Sequence, residues 1–298
     1  MKMAFIALLF LSLPSASFLR ADMGSIALKK GVDIKEPKQE AIIAWNGTHQ
    51  LLYLRTTLQA SEASRVLEVM PLPGRPDVKP AEDGVFDRCR KFLPNVPEKP
   101  KPLAASSSPF GFGGDAGQVV EQKRIGEHDL KVVQLLDATR FRDWVAEHFA
   151  SESEPLEVPE VLLETIAKYA KEGYQWFLFD LVELKPYQLR KTPLRIHFAT
   201  DHLYYPMRIT RTEKGRTKVT IQVLANRLFE PEECVGIPLS EIKIEFDPVI
   251  LNPGQLYYID PPIRRLFANA PKAYLQQWEI EGEIDRFEHD LIVRNGTR

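Results

Sequence analysis

The chain predicts an α+β fold dominated by antiparallel strands, and three observations predict it. Prolines outnumber glycines, 23 to 16, in a chain of 298 residues that is 44% hydrophobic and 27% charged, so stiff loops and strand edges are frequent in an otherwise ordinary globular composition. Short apolar runs separated by turn residues recur through the second half at the spacing of antiparallel strands. Two stretches in the middle keep a helical period instead. The expected architecture is a sandwich-like pair of sheets with two helices packed on one side.

The opening 21 residues, MKMAFIALLFLSLPSASFLRA, place Lys2 before an apolar run at 4–13, followed by Pro14 and small residues. That is the layout of a secretory signal peptide, and the run is shorter than the ~20 apolar residues a bilayer core demands. Cleavage is expected after Ser17 or Ala21, leaving an exported, soluble chain, periplasmic or extracellular, with no further membrane span. With 39 basic against 41 acidic side chains and no block of one sign, nucleic acid and anionic membrane are not expected as main partners.

In AIIAWNGTHQLLYLRTTLQ, at 41–59, two apolar runs meet at Asn46-Gly47. Asn-Gly tolerates the positive φ of a tight turn, so a β-hairpin is expected. Asn46-Gly47-Thr48 and Asn295-Gly296-Thr297 also fit an N-glycosylation sequon by letter, but turn chemistry already accounts for the first. A strand at 65–70 ends in Pro71 and Pro73, which cannot donate to a ladder, and VFDRCRKFL at 85–93 reads as a short helix. Residues 22–93 form the expected N-terminal hairpin-containing lobe, and 94–118, rich in Pro, Ser and Gly, a linker or long loop. Its GFGGDAG resembles a phosphate-cradling loop but lacks the flanking strand and helix such a loop needs.

Residues 119–298 form the expected α+β lobe. A strand at 129–136 leads to Asp137, placed to cap a helix whose face carries Phe141, Trp144, Val145, His148 and Phe149. A second helix starts at Pro159 and stops at Gly173. YQWFLFDLVEL, 174–184, is apolar on both faces and is expected at the centre of a sheet. Strands follow at 194–199, 205–210, 218–224, 241–246 and 256–259.

No Gly-x-Ser-x-Gly elbow, His-Glu-x-x-His helix, Cys-x-x-Cys pair or Walker loop occurs. The strongest constellation is Asp180, an acid within an apolar strand, with His197, Asp201 and His202 in RIHFATDH. Together they are candidate metal ligands or acid-base groups. The plainer reading, Asp180 paired with an arginine and Asp201-His202 as a turn, outweighs it. Glu279, Glu281, Glu283 and Asp285 share one face if extended and are candidate calcium ligands, against a solvated strand face. Tyr204 and Tyr205 are a candidate aromatic platform for a sugar or peptide, against edge packing. Cys89 and Cys234 are a candidate disulfide in an oxidising compartment, against two separate small hydrophobes.

The segments AIIAWNGTHQLLYLRTTLQASEASRVLEVMPLPGRPDV, GYQWFLFDLVEL and PLRIHFATDHLYYPMRITR together resemble an exported prokaryotic family, domain of unknown function 2330, from about residue 41 to the final strands. The resemblance implies export and a shared fold, and brings no reaction with it. The resulting expectation is a module that binds a protein, glycan or cell-wall component without catalysis and with no cofactor, calcium and zinc being the ions to test. The alternative is a hydrolase or metal-dependent enzyme built on the Asp180 group.

Overall fold

The computed structural model describes residues 23–29, 31–94, 117–149, 158–185, 188–212 and 215–294. The expected signal peptide, GFGGDAG up to its last glycine, and the second sequon lie outside the described residues. The N-terminal segment gives β1 (Gly24–Ala27), β2 (Ile34–Trp45), β3 (His49–Ala60), β4 (Ser64–Leu72), β5 (Asp77–Pro80) and helix α1 (Val85–Arg90). Next come β6 (Gly117–Ile125), β7 (His128–Leu135), α2 (Phe141–Phe149), α3 (Glu160–Lys171) and β8 (Trp176–Leu184). Seven strands follow: β9 (Gln188–Arg190), β10 (Leu194–Ala199), β11 (His202–Tyr205), β12 (Arg216–Ala225), β13 (Cys234–Val235), β14 (Ile242–Ile244) and β15 (Val249–Leu251). Helices α4 (Pro253–Ile259) and α5 (Pro261–Leu266) precede β16 (Ala273–Glu283) and β17 (Leu291–Arg294).

Two large open sheets result, confirming the α+β class. One runs β1-β4-β8-β7-β6, the other β14-β16-β12-β2-β3-β10-β5, with β15 added to β16 and β9 to β3. All pairings are antiparallel except β2 with β12. Each sheet combines strands from the N-terminal segment, β1 and β4 in one and β2, β3 and β5 in the other, with strands from the second half.

Period-two alternation sets the layers. Ala41, Ile43, Leu52 and Leu54 turn inward to meet Met70, Leu130 and Leu178 of the other sheet in one core. Phe177 and Phe179 of β8 point the opposite way and pack against Phe141, Trp144, Ile166 and Tyr169 of α2 and α3. This is why YQWFLFDLVEL is apolar on both faces. The expected caps form: Asp137 accepts from Thr139 N–H at 2.9 Å, and Gly173 ends α3 with φ 92°.

The two expected helices do lie on one side, but the other sheet carries a helical layer of its own. Ile42, Ala44 and Tyr53 face Phe86 and Cys89 of α1, Leu256 and Ile259 of α4 and Ile263 of α5, giving four layers, α-β-β-α. The strand expected at 256–259 is therefore a correction. Leu-Tyr-Tyr-Ile favours strands by composition, but Asn252 accepts from Gln255 N–H at 3.0 Å, Gln255 Oε1 accepts from Asn252 N–H at 2.8 Å, and Pro253 opens the turn. A capping box with proline at the first position nucleates a helix. Asn252→Ala is expected to cost about 1 kcal/mol, measured by urea denaturation; an unchanged midpoint would mean that packing alone holds α4.

The strand expected at 205–210 is also shorter. β11 stops at Tyr205 because Pro206 donates nothing, and Arg208–Thr212 turns into a 3-10 helix. Asp290 Oδ1 caps that turn, accepting from Met207 N–H at 3.0 Å and Arg208 N–H at 2.9 Å.

Candidate functional site

Helix α5 covers β2 and β3 but leaves the outer face of β10 and β5 open. On that face cross-strand register sets Arg195 beside Tyr53 and Lys79, and His197 beside Leu51 and Asp77. The result is a groove of about 360 Å³ with these strands as its floor and Pro262, Arg265 and Leu266 of α5 as one wall. His49 enters from the start of β3, its ring 5.5 Å from that of His197.

Each charge in the groove has a traceable state. Lys79 Nζ pairs with Asp77 Oδ2 at 2.8 Å. Arg195 Nη1 donates to Asp260 Oδ2 at 3.3 Å, and the same oxygen accepts from Tyr53 O–H at 2.6 Å. Burial, the Asp260 charge and that hydrogen bond hold the phenol of Tyr53 far above its ordinary range. Partial burial pushes the His197 pKa below the usual histidine value, and the neighbouring His49 adds to the effect. Arg265 is exposed and makes no ion pair among the described residues. The site therefore presents one uncommitted guanidinium, two held cations and two imidazoles to solvent.

The second concentration of chemistry is sealed between the sheets. Asp180 of β8 lies directly across from Glu68 of β4, and both are 0% exposed. Lys191, just after β9, donates through Nζ to Glu68 Oε2 and stands 3.4 Å from Asp180 Oδ2. His128 of β7 meets the same Asp180 oxygen through Nδ1 at 2.6 Å, while its Nε2 faces the Thr192 carbonyl at 2.8 Å. Two acceptors on two ring nitrogens favour the imidazolium. Burial opposes that charge, but Asp180 prevails and raises the pKa of His128. Burial likewise opposes ionisation of Asp180, and His128 with Lys191 outweighs it, lowering its pKa. For Glu68 burial wins and its pKa is raised despite Lys191.

The acid-base group expected from Asp180, His197, Asp201 and His202 is not assembled. Asp180 faces the interior between the sheets, His197 faces the outer groove, and Asp201 projects into solvent, where its Oδ1 holds His202 Nδ1 at 2.6 Å. Nor does Asp180 pair with an arginine: histidine and lysine take that place. Tyr204 and Tyr205 form no platform, since both are 0% exposed and Tyr204 O–H reaches the Pro71 carbonyl at 3.0 Å. Glu279, Glu281 and Glu283 are matched by a basic ladder on β12. Lys218 Nζ meets Glu279 at 2.5 Å, and Arg216 meets Glu281 at 3.2 Å and Glu283 at 3.4 Å. Asp285 lies beyond the strand, in the 3-10 turn Ile284–Arg286. Among the described residues no three His, Cys, Asp or Glu side chains gather to hold a metal ion.

Cys89 and Cys234 are both buried and free; Cys89 packs under the α1, α4 and α5 layer and Cys234 in the core between the sheets, so the candidate disulfide is not formed. Asn46 serves its turn. Its Oδ1 accepts from Thr48 N–H at 3.0 Å and His49 N–H at 2.9 Å, and its Nδ2 donates to the Leu266 carbonyl at 3.0 Å. No helix among the described residues is long and apolar enough to cross a membrane.

Sequence reasoning missed His128, Lys191 and Glu68 of the buried cluster and His49, Lys79 and Arg265 of the groove. A usable signal existed for two of them. His128 alternates with Leu130 and Val132, and Glu68 with Val66 and Met70, so each is a polar residue on an inward strand face, as Asp180 is. No curated protein matches the chain. The crystal structure of baculovirus P35 superposes over 91% of this chain and 100% of its own with 9% identity and a TM-score of 0.40, a likeness too low to carry an argument. Residues 20–246 match the family described as an uncharacterised protein conserved in bacteria, domain of unknown function 2330. The match covers β1 through β14 and leaves out the α5 wall of the groove, and on it the chain belongs to that family.

Proposed function

We propose that the protein is an exported, soluble module of the cell envelope or extracellular space that holds an acidic glycan or cell-wall fragment without transforming it. The observation that carries this reading is the groove between α5 and the outer face of β3, β10 and β5, with Arg195, Lys79, His49 and His197 on its floor and Arg265, unpaired among the described residues, on its rim. Its volume is at the lower end of the range for small-molecule sites, which suits one sugar-sized unit of a longer chain. Charge-assisted hydrogen bonds from guanidinium to carboxylate or phosphate supply the attraction. The signal-like leader and the wall chemistry it would meet outside the cell support the same reading.

Isothermal titration with an acidic cell-wall sugar and its neutral counterpart tests it. Binding of the acidic form alone is expected, and Arg265→Ala is expected to weaken it by about ten- to a hundredfold, the value of one charged hydrogen bond. Equal binding of the neutral sugar, or none of either, would remove the proposal. The pH dependence has a definite sign. His197 is held below its ordinary pKa by burial and by His49, so it gains a proton only at a more acidic pH than an ordinary histidine does. That charge faces the groove, so affinity for the acidic ligand is expected to rise as pH drops from 7 to 5. His197→Asn should flatten the rise; a steeper profile in that variant would contradict the assignment.

A further inference from the structure

The buried cluster between the sheets has the parts of a bond-forming site. We propose that Lys191 Nζ and Asp180 Cγ condense within the folded protein to an amide that covalently joins the two sheets, with Glu68 as general base and His128 as proton donor. The cluster shares no residue with the groove, so the two stand or fall separately.

Four observations lead to it. Lys191 Nζ stands 3.4 Å from Asp180 Oδ2, and both side chains are held by packing that leaves them 4% and 0% exposed. Fixed proximity of this kind replaces a bimolecular encounter and is worth a large part of a barrier. Glu68 Oε2 accepts from the attacking Nζ, which is where a base must sit. His128 Nδ1 lies 2.6 Å from Oδ2, the oxygen that must leave. Ion pairing by itself leaves Asp180 Oδ1 and Glu68 Oε1 buried without a hydrogen-bond partner, an arrangement native cores avoid. Exchanging a buried ion pair for a neutral amide also removes the cost of holding two desolvated charges.

The step balances. His128 gives its proton to Oδ2, Glu68 takes one from the Lys191 ammonium, and the freed nitrogen lone pair attacks the now neutral carboxyl at Cγ. Glu68 passes its proton to Oδ2 as the Cγ–Oδ2 bond breaks, and the second Nζ proton restores His128. In total two protons pass from Nζ to Oδ2, which departs as one water molecule. Glu68 and His128 return to their starting states, and no oxidant or cofactor enters.

Intact-mass spectrometry of the purified, folded full chain, with its N-terminus defined by fragmentation, tests the proposal. The expected result is a mass lower than the sequence mass by one water, with proteolysis yielding a branched peptide joining the segment around Asp180 to that around Lys191. A chain at full sequence mass overturns it, and so does a lost water that maps elsewhere or persists in Lys191→Arg. Glu68→Gln, nearly the same size, is expected to stay at full mass while folded by circular dichroism; if it closes the bond as fast as the wild type, Glu68 is not the base. The wild-type mass decides the matter even if a variant fails to fold.

Discussion

Replacing Asp180 with alanine is expected to destabilise the protein by about 3–5 kcal/mol, the loss typical when one partner of a buried charge network is removed. Lys191 and the His128 imidazolium would then stand in the interior with only Glu68, Glu36 and Glu127 as acids near them, and the shorter side chain would leave a void between the sheets. The loss is expected for an ion pair and for an amide alike, since the substitution abolishes both. Urea denaturation reads the change, and a double-mutant cycle with Lys191→Met isolates the pair. A coupling of about 0.5–3 kcal/mol is the range for residues in contact; a value near zero would show that Asp180 serves His128 alone. A drop under about 1 kcal/mol for the single variant, far below the range for a sealed charge network, would mean that water reaches the cluster.

Asp290→Ala should be comparably damaging, at about 3–5 kcal/mol. One 3% exposed carboxylate accepts from Tyr169 O–H of α3 at 2.7 Å, from the N–H groups of Met207 and Arg208, and from Tyr204 O–H of β11 at 3.3 Å. It thereby ties the α3 layer, the 3-10 turn after β11 and the approach to β17 together. Alanine leaves those buried donors unsatisfied. Asp290→Asn keeps one acceptor oxygen for Tyr169 and the two amides, and its Nδ2 can donate to the Tyr204 hydroxyl, which retains its bond to Pro71. The asparagine variant is therefore expected to lose only about 1–2 kcal/mol. Equal losses for alanine and asparagine, by thermal or chemical denaturation, would show that the negative charge matters more than the acceptor geometry.

Local chemistry made much of the fold readable in advance. Asn46-Gly47 marked the β2–β3 hairpin, Asp137 and Gly173 marked helix ends, and the unbroken apolar run in β8 marked a strand covered on both sides. What escaped was decided by contacts distant in sequence. Leu256-Tyr257-Tyr258-Ile259 has strand-forming composition, and only Asn252 with Gln255 and the buried outer face of β2 and β3 make it helical. β6, with its mixed polar sequence, is held by pairing to β7 rather than by its own pattern. The candidate site was less legible. His197 was singled out, yet the groove also needs Arg195, Lys79, His49 and Arg265, brought together by register and by α5. Asp180 was marked as an acid in need of a partner, but Lys191 sits in a polar stretch that carries no mark of burial.

The parallel contact of β2 with β12 places Ile42 beside Gln222, and β12 in turn pairs with β16 along ten residues. Assembly of the larger sheet thus waits on the last fifth of the polypeptide. Non-local pairing of this order slows folding and prolongs the exposure of unpaired strand edges. A chain emerging from its N-terminus, at the ribosome or on the far side of a translocation pore, presents β2 with one edge satisfied by β3 and the other vacant until β12 arrives. Such a chain remains threadable through a narrow channel for longer than one whose domains close in succession, and during that interval its vacant edge is open to pairing with another molecule.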